Sequence, residues 1–525
     1  MNIAHAQPHQ TDTQARESMH PDHEVLIIGA GISGLGAAIR LKENGINDFI
    51  IVERADQVGG TWRDNRYPGI AVDITSFTYS YSFEQNPNWS RVFAPGSELQ
   101  NYVERVASKY GIYPHIRFKT SVSRAVFDEA KHFWRITIDG GKEITARQLI
   151  SATGGLISPK MPDIEGLGDF QGKIIHTGHW DSKINLKGKR IAIIGTGATA
   201  VQVIPEIAPL AKRLDVYQRT PIWVLKKPDR VLPAWLKTVF RLLPAAQKTV
   251  RMGTDAISEA LMVVAAIYYR QAPWLVEMCE KAGLNNMRAQ LPDRPDLWEK
   301  LAPKYGFGCK RPTFSNVYFQ TFARKNTELV TTPIDRITPK GIRTKDGTER
   351  EIDVLILATG YRVFEKGNLP SYEVVGREGQ ELGTFWEENR YQAYEGLTVP
   401  GYPNFYIMLG PYSFIGTSYF KVVEGNSIHA VRCIAEALKR KATCVEVRQD
   451  VHDRYFANIQ HRQQSTVFLN HNCASSNSYY FDRHGDAPML RPSTSVEMLW
   501  RAKHLPMDHY QFSKAPALVR TGAGR

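Results

Sequence analysis

Cysteine, long apolar runs and dense charge are all scarce in this sequence, and each shortage removes a class of protein. Five cysteines stand in 525 residues, too few for a disulfide scaffold. No two form C-x-x-C, so neither a dithiol redox pair nor a thiolate zinc knuckle is expected. Their spacing fits a reducing cytosol, and a cytoplasmic location is expected. The longest apolar run, Ala260–Tyr269, has ten residues, whereas a membrane-spanning helix needs about 20. Residues 1–21 are polar and read as a flexible tail, not a signal peptide. Lysine plus arginine outnumber aspartate plus glutamate by 66 to 53, a net charge of +13. The densest basic clusters, Lys187–Arg190 and Lys439–Lys441, are too short for a nucleic-acid tail. The excess reads as solvated surface, with no nucleic-acid partner.

What is present is ordinary globular composition, 42% hydrophobic and 10% aromatic. At ~150 residues per domain the length suggests about three to four domains. Glu24–Ile28 is an apolar run suited to a strand buried on both faces. It leads into Gly29-Ala30-Gly31-Ile32-Ser33-Gly34, then an amphipathic stretch to Glu43, then strand Phe49–Val52 ending in Glu53. Strand, G-x-G-x-x-G, helix, strand and acid together predict a dinucleotide site. The glycines let backbone approach a pyrophosphate, and the helix N-terminus offers N–H donors. Glu53 would accept from both ribose hydroxyls and repel a 2′-phosphate. Ser33 is not a nucleophile elbow, because Leu35 breaks G-x-S-x-G.

The pattern recurs. Strand Arg190–Ile194 precedes Gly195-Thr196-Gly197-Ala198-Thr199-Ala200, a helix, and strand Leu214–Tyr217. Gly29 to Glu53 spans 24 residues, as does Gly195 to Arg219, so Arg219 fills the slot held by Glu53. A cation there pairs with a 2′-phosphate and indicates NADP, with Thr220 beside it. Two such folds imply electron traffic between FAD on the first and NADPH on the second. A dithiol reductase would need a close cysteine pair beside the flavin, so the cysteine pattern selects a flavoprotein monooxygenase.

Two longer motifs lie between these sites: Gly59-Gly60-Thr61-Trp62 through Tyr67-Pro68-Gly69 to Asp73, and Phe170-Gln171-Gly172 through His176 to Trp180-Asp181. They resemble the two fingerprints of class B Baeyer–Villiger monooxygenases, with every fixed position filled, and the likeness runs from about residue 22 to residue 512. Flavin-containing monooxygenases, which oxidise N or S atoms, are also similar; Trp180-Asp181 favours the Baeyer–Villiger family. The resemblance implies an α/β fold of two Rossmann-like domains. The FAD domain would comprise 22–150 and 378–525, and the NADP domain 151–377 with a helical insertion about 224–300. It adds Thr61, Trp62 and Tyr79 to the flavin site and gives His176 a linking role, not a metal-binding one. It pairs Asp73 with Arg311, which would stabilise a peroxyflavin anion, and assigns Lys310 to the NADPH phosphate. The implied reaction inserts one oxygen atom of O₂ beside a ketone carbonyl, giving an ester or lactone. N- or S-oxidation and a non-catalytic flavoprotein sensor are the alternatives. Two loops expected to border cofactor and substrate depart from the pattern, with Tyr412 for the usual asparagine and Tyr479 for tryptophan.

Ala234–Arg251 sets Trp235, Leu236, Val239, Phe240, Leu242 and Leu243 beside Lys237, Arg241, Lys248 and Arg251. Such a stretch can lie on a membrane surface, but the expectation here is an ordinary core-facing helix. A monomer or small homo-oligomer is expected, acting on a small-molecule ketone and O₂.

Overall fold

The computed structural model describes residues 20–515. Of the expected N-terminal tail, residues 1–19 lie outside the described residues. The chain begins with strand β1 (His23–Ile28), helix α1 (Ile32–Glu43) and strands β2 (Phe49–Val52), β3 (Ile116–Arg117), β4 (Val122–Asp128), β5 (Phe133–Ile138) and β6 (Glu143–Ser151). It continues through β7 (Lys173–His176), β8 (Arg190–Ile194), helix α2 (Ala198–Ile207) and β9 (Arg213–Tyr217). Helices α3 (Ala234–Leu242), α4 (Pro244–Ser258) and α5 (Pro273–Gln290) follow, then β10 (Thr327–Val330) and β11 (Val354–Leu357). The last elements that matter for the site are β12 (Glu373–Val375), β13 (Phe405–Ile407) and α6 (Tyr419–Arg440).

These strands form two separate sheets. An eight-stranded sheet runs β12-β4-β5-β6-β1-β2-β3, with β13 pairing the C-terminal residues of β6, 149–151, beyond the stretch that β5 pairs. β1 is parallel to both β2 and β6, whereas β4, β5 and β6 form an antiparallel meander. A five-stranded, wholly parallel sheet runs β10-β9-β8-β11-β7. The central strands carry unbroken apolar runs because helices cover both faces, as in α/β folds generally. Val25, Leu26 and Ile27 are fully buried, and α1 packs on the long helix α6. The fold is thus α/β with two Rossmann-like sheets. The chain leaves the first sheet after β6 and rejoins it at β12.

The two glycine turns are built alike. Gly29 has φ of +105° and Gly195 of +112°, values that disfavour any side chain. A Cβ on Gly29 would lie 2.7 Å from the Ala152 carbonyl oxygen, and one on Gly195 would lie 2.4 Å from that of Ala358. Both alanines open an Ala-Thr-Gly junction, Ala152-Thr153-Gly154 and Ala358-Thr359-Gly360. Each junction therefore presses against the first glycine of one loop. Gly34 is closed in as tightly, with a Cβ falling 1.8 Å from the Gly29 carbonyl oxygen.

The folded chain also brings together cysteines that lie far apart in sequence. Cys309 and Cys473 form a disulfide across 164 residues. Sequence spacing conceals it because the loops meet only in the folded chain. The stretch 234–251 faces the core as expected: Phe240 belongs to the core of the first domain, and Leu236, Ala246 and Val250 pack against it. Only Phe240 is buried in α3, while Trp235, Leu242 and Leu243 are exposed. Its inner residues face the first domain, and the rest of its apolar side points to solvent.

Candidate active site

A cavity of about 660 Å³ lies where the two halves meet, within the range of cofactor pockets. From the first half it is lined by Gly29, Gly31, Ile32, Ser33, Glu53, Thr61, Trp62, Asp73 and Tyr79. From the second it takes Ala198, Thr199 and Arg311. Gly34, Gly195, Thr196, Gly197, Arg219, Thr220 and Lys310 stand outside its lining.

The first fingerprint docks the two halves onto each other. Tyr67 OH donates to Gln202 Oε1 at 3.2 Å, and Gln202 Nε2 donates to the Ala71 carbonyl at 3.0 Å. Gln202 lies on α2, so the loop carrying Asp73 rests on the helix that follows the second glycine turn. Tyr361, just past β11, donates to Asn65 Oδ1 at 2.8 Å and stands edge-on to His176. His176 ends β7, and its Nδ1 accepts the Gly178 N–H at 3.0 Å. Among the described residues no group of His, Cys, Asp or Glu could hold a metal ion.

Asp73 and Arg311, 238 residues apart in sequence, form a bidentate ion pair. Arg311 Nε donates to Asp73 Oδ2 at 2.7 Å, and Nη2 donates to Oδ1 at 2.9 Å. Burial pushes the Asp73 carboxyl up, but the Arg311 charge and hydrogen bonds outweigh it and hold the group below the ordinary carboxylate range. Burial likewise disfavours the Arg311 charge, and Asp73 more than restores it. Phe414 offers its ring face 6.0 Å from the guanidinium. Tyr479 and Tyr480 stand near enough to act on the Arg311 charge. Tyr479 lines the cavity, and the other loop borders it through Leu409 and Phe414, although Tyr412 itself does not. Tyr412 is buried, accepts from Gln460 Nε2 at 3.0 Å and packs on Phe456.

Glu53 closes the other end of the cavity. Its carboxylate accepts from the N–H groups of Ala30 at 2.8 Å and Ala55 at 2.9 Å, and from Arg63 Nη1 at 3.1 Å. Of roughly four lone-pair positions on a carboxylate, three are taken. Room for one further donor remains, where the sequence suggested two. Thr417 Oγ1 is buried in the cavity wall without a hydrogen-bond partner among the protein atoms. Ser33 Oγ and Tyr419 OH meet at 2.7 Å.

A second cluster gathers around the end of β9. Thr196 Oγ1 donates to the Thr220 carbonyl at 2.7 Å, and Asn477 Nδ2 to Thr220 Oγ1 at 2.9 Å. Burial, with the nearby Arg219 charge as the second cause, pulls the Lys310 ammonium down to about 8. The Arg219 cation thus acts on the Lys310 cation, an arrangement that suits a phosphate. Sequence reasoning missed Gln202, Tyr419 and Asn477. None of them lies in a motif; Asn65 and Tyr361 do have a signal, in the first fingerprint and beside the second Ala-Thr-Gly junction.

Residues 26–262 match the family model described as pyridine nucleotide-disulphide oxidoreductase. A Baeyer–Villiger monooxygenase of Pseudomonas aeruginosa is 37% identical over 453 residues, 86% of this chain and 84% of the relative. Another, from Streptomyces coelicolor, is 36% identical over 510 residues, 97% of this chain and 96% of the relative. This chain belongs to the Baeyer–Villiger monooxygenases. Among solved structures, the enzyme resembles OTEMO in complex with FAD and NADP, with a TM-score of 0.82, 28% identity, and coverage of 94% of this chain and 100% of that one. Oxidised steroid monooxygenase bound to NADP gives a TM-score of 0.81 at 28% identity, covering 94% and 99%. The Cys309–Cys473 bond does not turn this monooxygenase into a dithiol reductase, because neither cysteine lines the cavity.

Proposed function

We propose that this monooxygenase uses FAD and NADPH to convert a ketone to an ester or lactone. NADPH, a proton, O₂ and the ketone are consumed, and NADP⁺, water and the ester are formed. The observation that carries the reading is the bidentate Asp73–Arg311 pair in the wall of a cavity that both nucleotide-binding halves line. The residues present fit FAD. Gly29 and Gly31 bring bare backbone to the cavity where a pyrophosphate would lie, Glu53 keeps one acceptor position for a ribose hydroxyl, and Thr417 Oγ1 needs a partner. Arg219 and Lys310 fit the NADPH phosphate. When bound, FAD takes hydride from NADPH and activates O₂.

The protein's share is placement and charge. Arg311 supplies a fixed cation beside the site where negative charge gathers on oxygen, so that oxygen can attack a carbonyl carbon as a nucleophile. Asp73 fixes the guanidinium plane through two parallel bonds. Trp62, Tyr79 and Tyr479 give the cavity an aromatic wall that keeps water from the reacting atoms. A cytoplasmic location is part of this reading, since NADPH is available there; the disulfide is then an exception to the reduced state of cytoplasmic thiols. Among the described residues no helix is long and apolar enough to cross a membrane.

The test is NADPH oxidation by the purified holoenzyme with and without a simple ketone, with product mass read on the same sample. Ketone-dependent oxidation with a product one oxygen atom heavier supports the reading. Oxidation stimulated by amines or sulfides but never by ketones overturns it in favour of heteroatom oxidation.

A further inference from the structure

The surface formed by α3 and α4 stands apart from the cavity and has no part in the chemistry above. Both helices rest on residues 77–88 of the first domain. Phe240 meets Phe77 edge-on with ring centroids 5.7 Å apart, and Arg241 Nη2 donates to Asn88 Oδ1 at 2.9 Å. Gln247 Nε2 donates to the Asn86 carbonyl at 2.8 Å, and Arg251 Nη1 to the Phe77 carbonyl at 2.9 Å. Their opposite faces therefore point together away from the protein. On α3 that face carries Trp235 and Leu242, seven positions apart and so on one side of the helix, 66% and 74% exposed. Leu243 in the turn is 60% exposed, and Met252 and Ile257 on α4 are 71% and 61% exposed. More than half of the large apolar side chains that the described residues expose fall between Val231 and Met278. Soluble surfaces rarely gather apolar groups in this way without a partner.

The charge around them is mostly positive; Arg251 is buried on backbone carbonyls, and the one acid within α4, Asp255, is paired with Lys421 at 3.3 Å. Between Lys226 and Gly253 the basic residues are Lys226, Lys227, Arg230, Lys237, Arg241, Lys248 and Arg251, against the single acid Asp229. That acid is already paired with Arg91 at 2.9 Å. A tryptophan, leucines and a methionine on a solvent face flanked by lysine and arginine are what an interfacial helix needs. Its apolar side enters the boundary between headgroups and chains while the cations meet anionic lipid. A second copy of the chain fits poorly, since a symmetric pairing would set these cations against one another. A nucleic acid would use the cations but leave the apolar stripe uncovered.

We infer that α3 and α4 form a docking surface for an anionic lipid bilayer. The enzyme would then be held on the membrane surface without crossing it. The test is flotation of the full-length holoenzyme with phosphatidylglycerol-rich vesicles, and with phosphatidylcholine vesicles at the same concentration. The enzyme is expected to float with the first and not the second, and high salt is expected to release it. Lys237→Gln and Lys248→Gln should each lower partitioning about fivefold. Trp235→Ser combined with Leu242→Ser should lower it by at least about tenfold. Flavin content of that variant reports folding, and Trp500→Ser, at an exposed site elsewhere, should float as the parent does. The inference is overturned if the parent stays at the bottom with phosphatidylglycerol. It is equally overturned if Trp235→Ser with Leu242→Ser floats undiminished, or if the parent is a dimer in solution that this variant dissolves.

Discussion

In the proposed reaction the chemistry turns on Arg311 and Asp73, and their roles there carry unequal weight. The cation would face the developing charge, whereas the carboxylate would only orient the guanidinium. Removing one preorganised electrostatic donor costs on the order of 10²–10³ in turnover. Arg311→Ala is therefore expected to retain flavin, because it touches neither the glycine loop nor Glu53. Ester formation should collapse, and residual NADPH oxidation should appear as hydrogen peroxide. Asp73→Ala should show the same defect more mildly. Ester, peroxide and NADPH measured on one sample check both variants; wild-type ester formation by Arg311→Ala would refute the role. Because Asp73 is held below the ordinary carboxylate range, loss of the pair on acidification is expected only below that range, and any acid limb in activity that comes from it should lie there.

Lys310 behaves in the opposite sense. Burial and Arg219 bring its ammonium down to about 8, so its charge is present below that pH and lost above it. A phosphate bound there favours the charged form. The KM for NADPH is expected to rise as pH climbs from 7 to 9, and Lys310→Met should flatten that rise. Arg219→Ala should weaken NADPH about tenfold to a hundredfold more than NADH, the weight of one charge-assisted bond to the 2′-phosphate. Equal losses for the two cofactors would show that the cluster does not read that phosphate.

At the scale of loops and helices, the informative feature is the covalent tie between 309–311 and 473–480. Cys309 lies two residues before Arg311, and Cys473 six before Tyr479. The disulfide thus joins the segment that presents the guanidinium to the one that presents the aromatic wall. Closing a loop of 164 residues constrains the unfolded chain by about 5 kcal/mol in the chain-entropy model. Cys309→Ser and Cys473→Ser should each lower the thermal midpoint by several degrees and increase peroxide leakage. The double variant should be no worse than either alone, since both break one bond. Additive losses would mean that each thiol acts separately. Tyr412 shows a different economy. Its φ of +58° lies in the left-handed region, where the family usually places asparagine. An aromatic residue there costs about 1–3 kcal/mol, offset here by burial against Phe456 and the bond from Gln460.

The glycine turns, the place of Glu53 at the end of β2 and the Asp73 fingerprint were legible because each depends on residues close in sequence. Strand, turn and helix fix them locally, and the equal spacing of the two units supplied an internal check. The disulfide and the contacts of Tyr419 with Ser33 and Asn477 with Thr220 were not legible. They join segments 164, 386 and 257 positions apart, and no local pattern encodes such approaches. Helix α3 shows the same limit. Periodicity tells which side chains share a face, so Trp235 falls with Leu242, but not which face a neighbour covers. The neighbour is the first domain, and it takes Phe240.

For the molecule as a whole, two Rossmann-like sheets bring the first glycine loop, the start of α2 and one ion pair to a shared cavity. The first half presents Asp73, the second Arg311, and the halves are joined through Tyr67, Gln202, Asn65 and Tyr361. The central claim is that this cavity delivers an oxygen atom from O₂ into the carbon skeleton beside a carbonyl. The most direct measurement is turnover of a simple ketone under isotopically labelled dioxygen, with mass spectrometry of the product and its fragments. The account expects one labelled oxygen, located in the ester linkage, with the carbonyl oxygen still unlabelled. An unlabelled product, or label found only in released hydrogen peroxide while the ketone is unchanged, would contradict it.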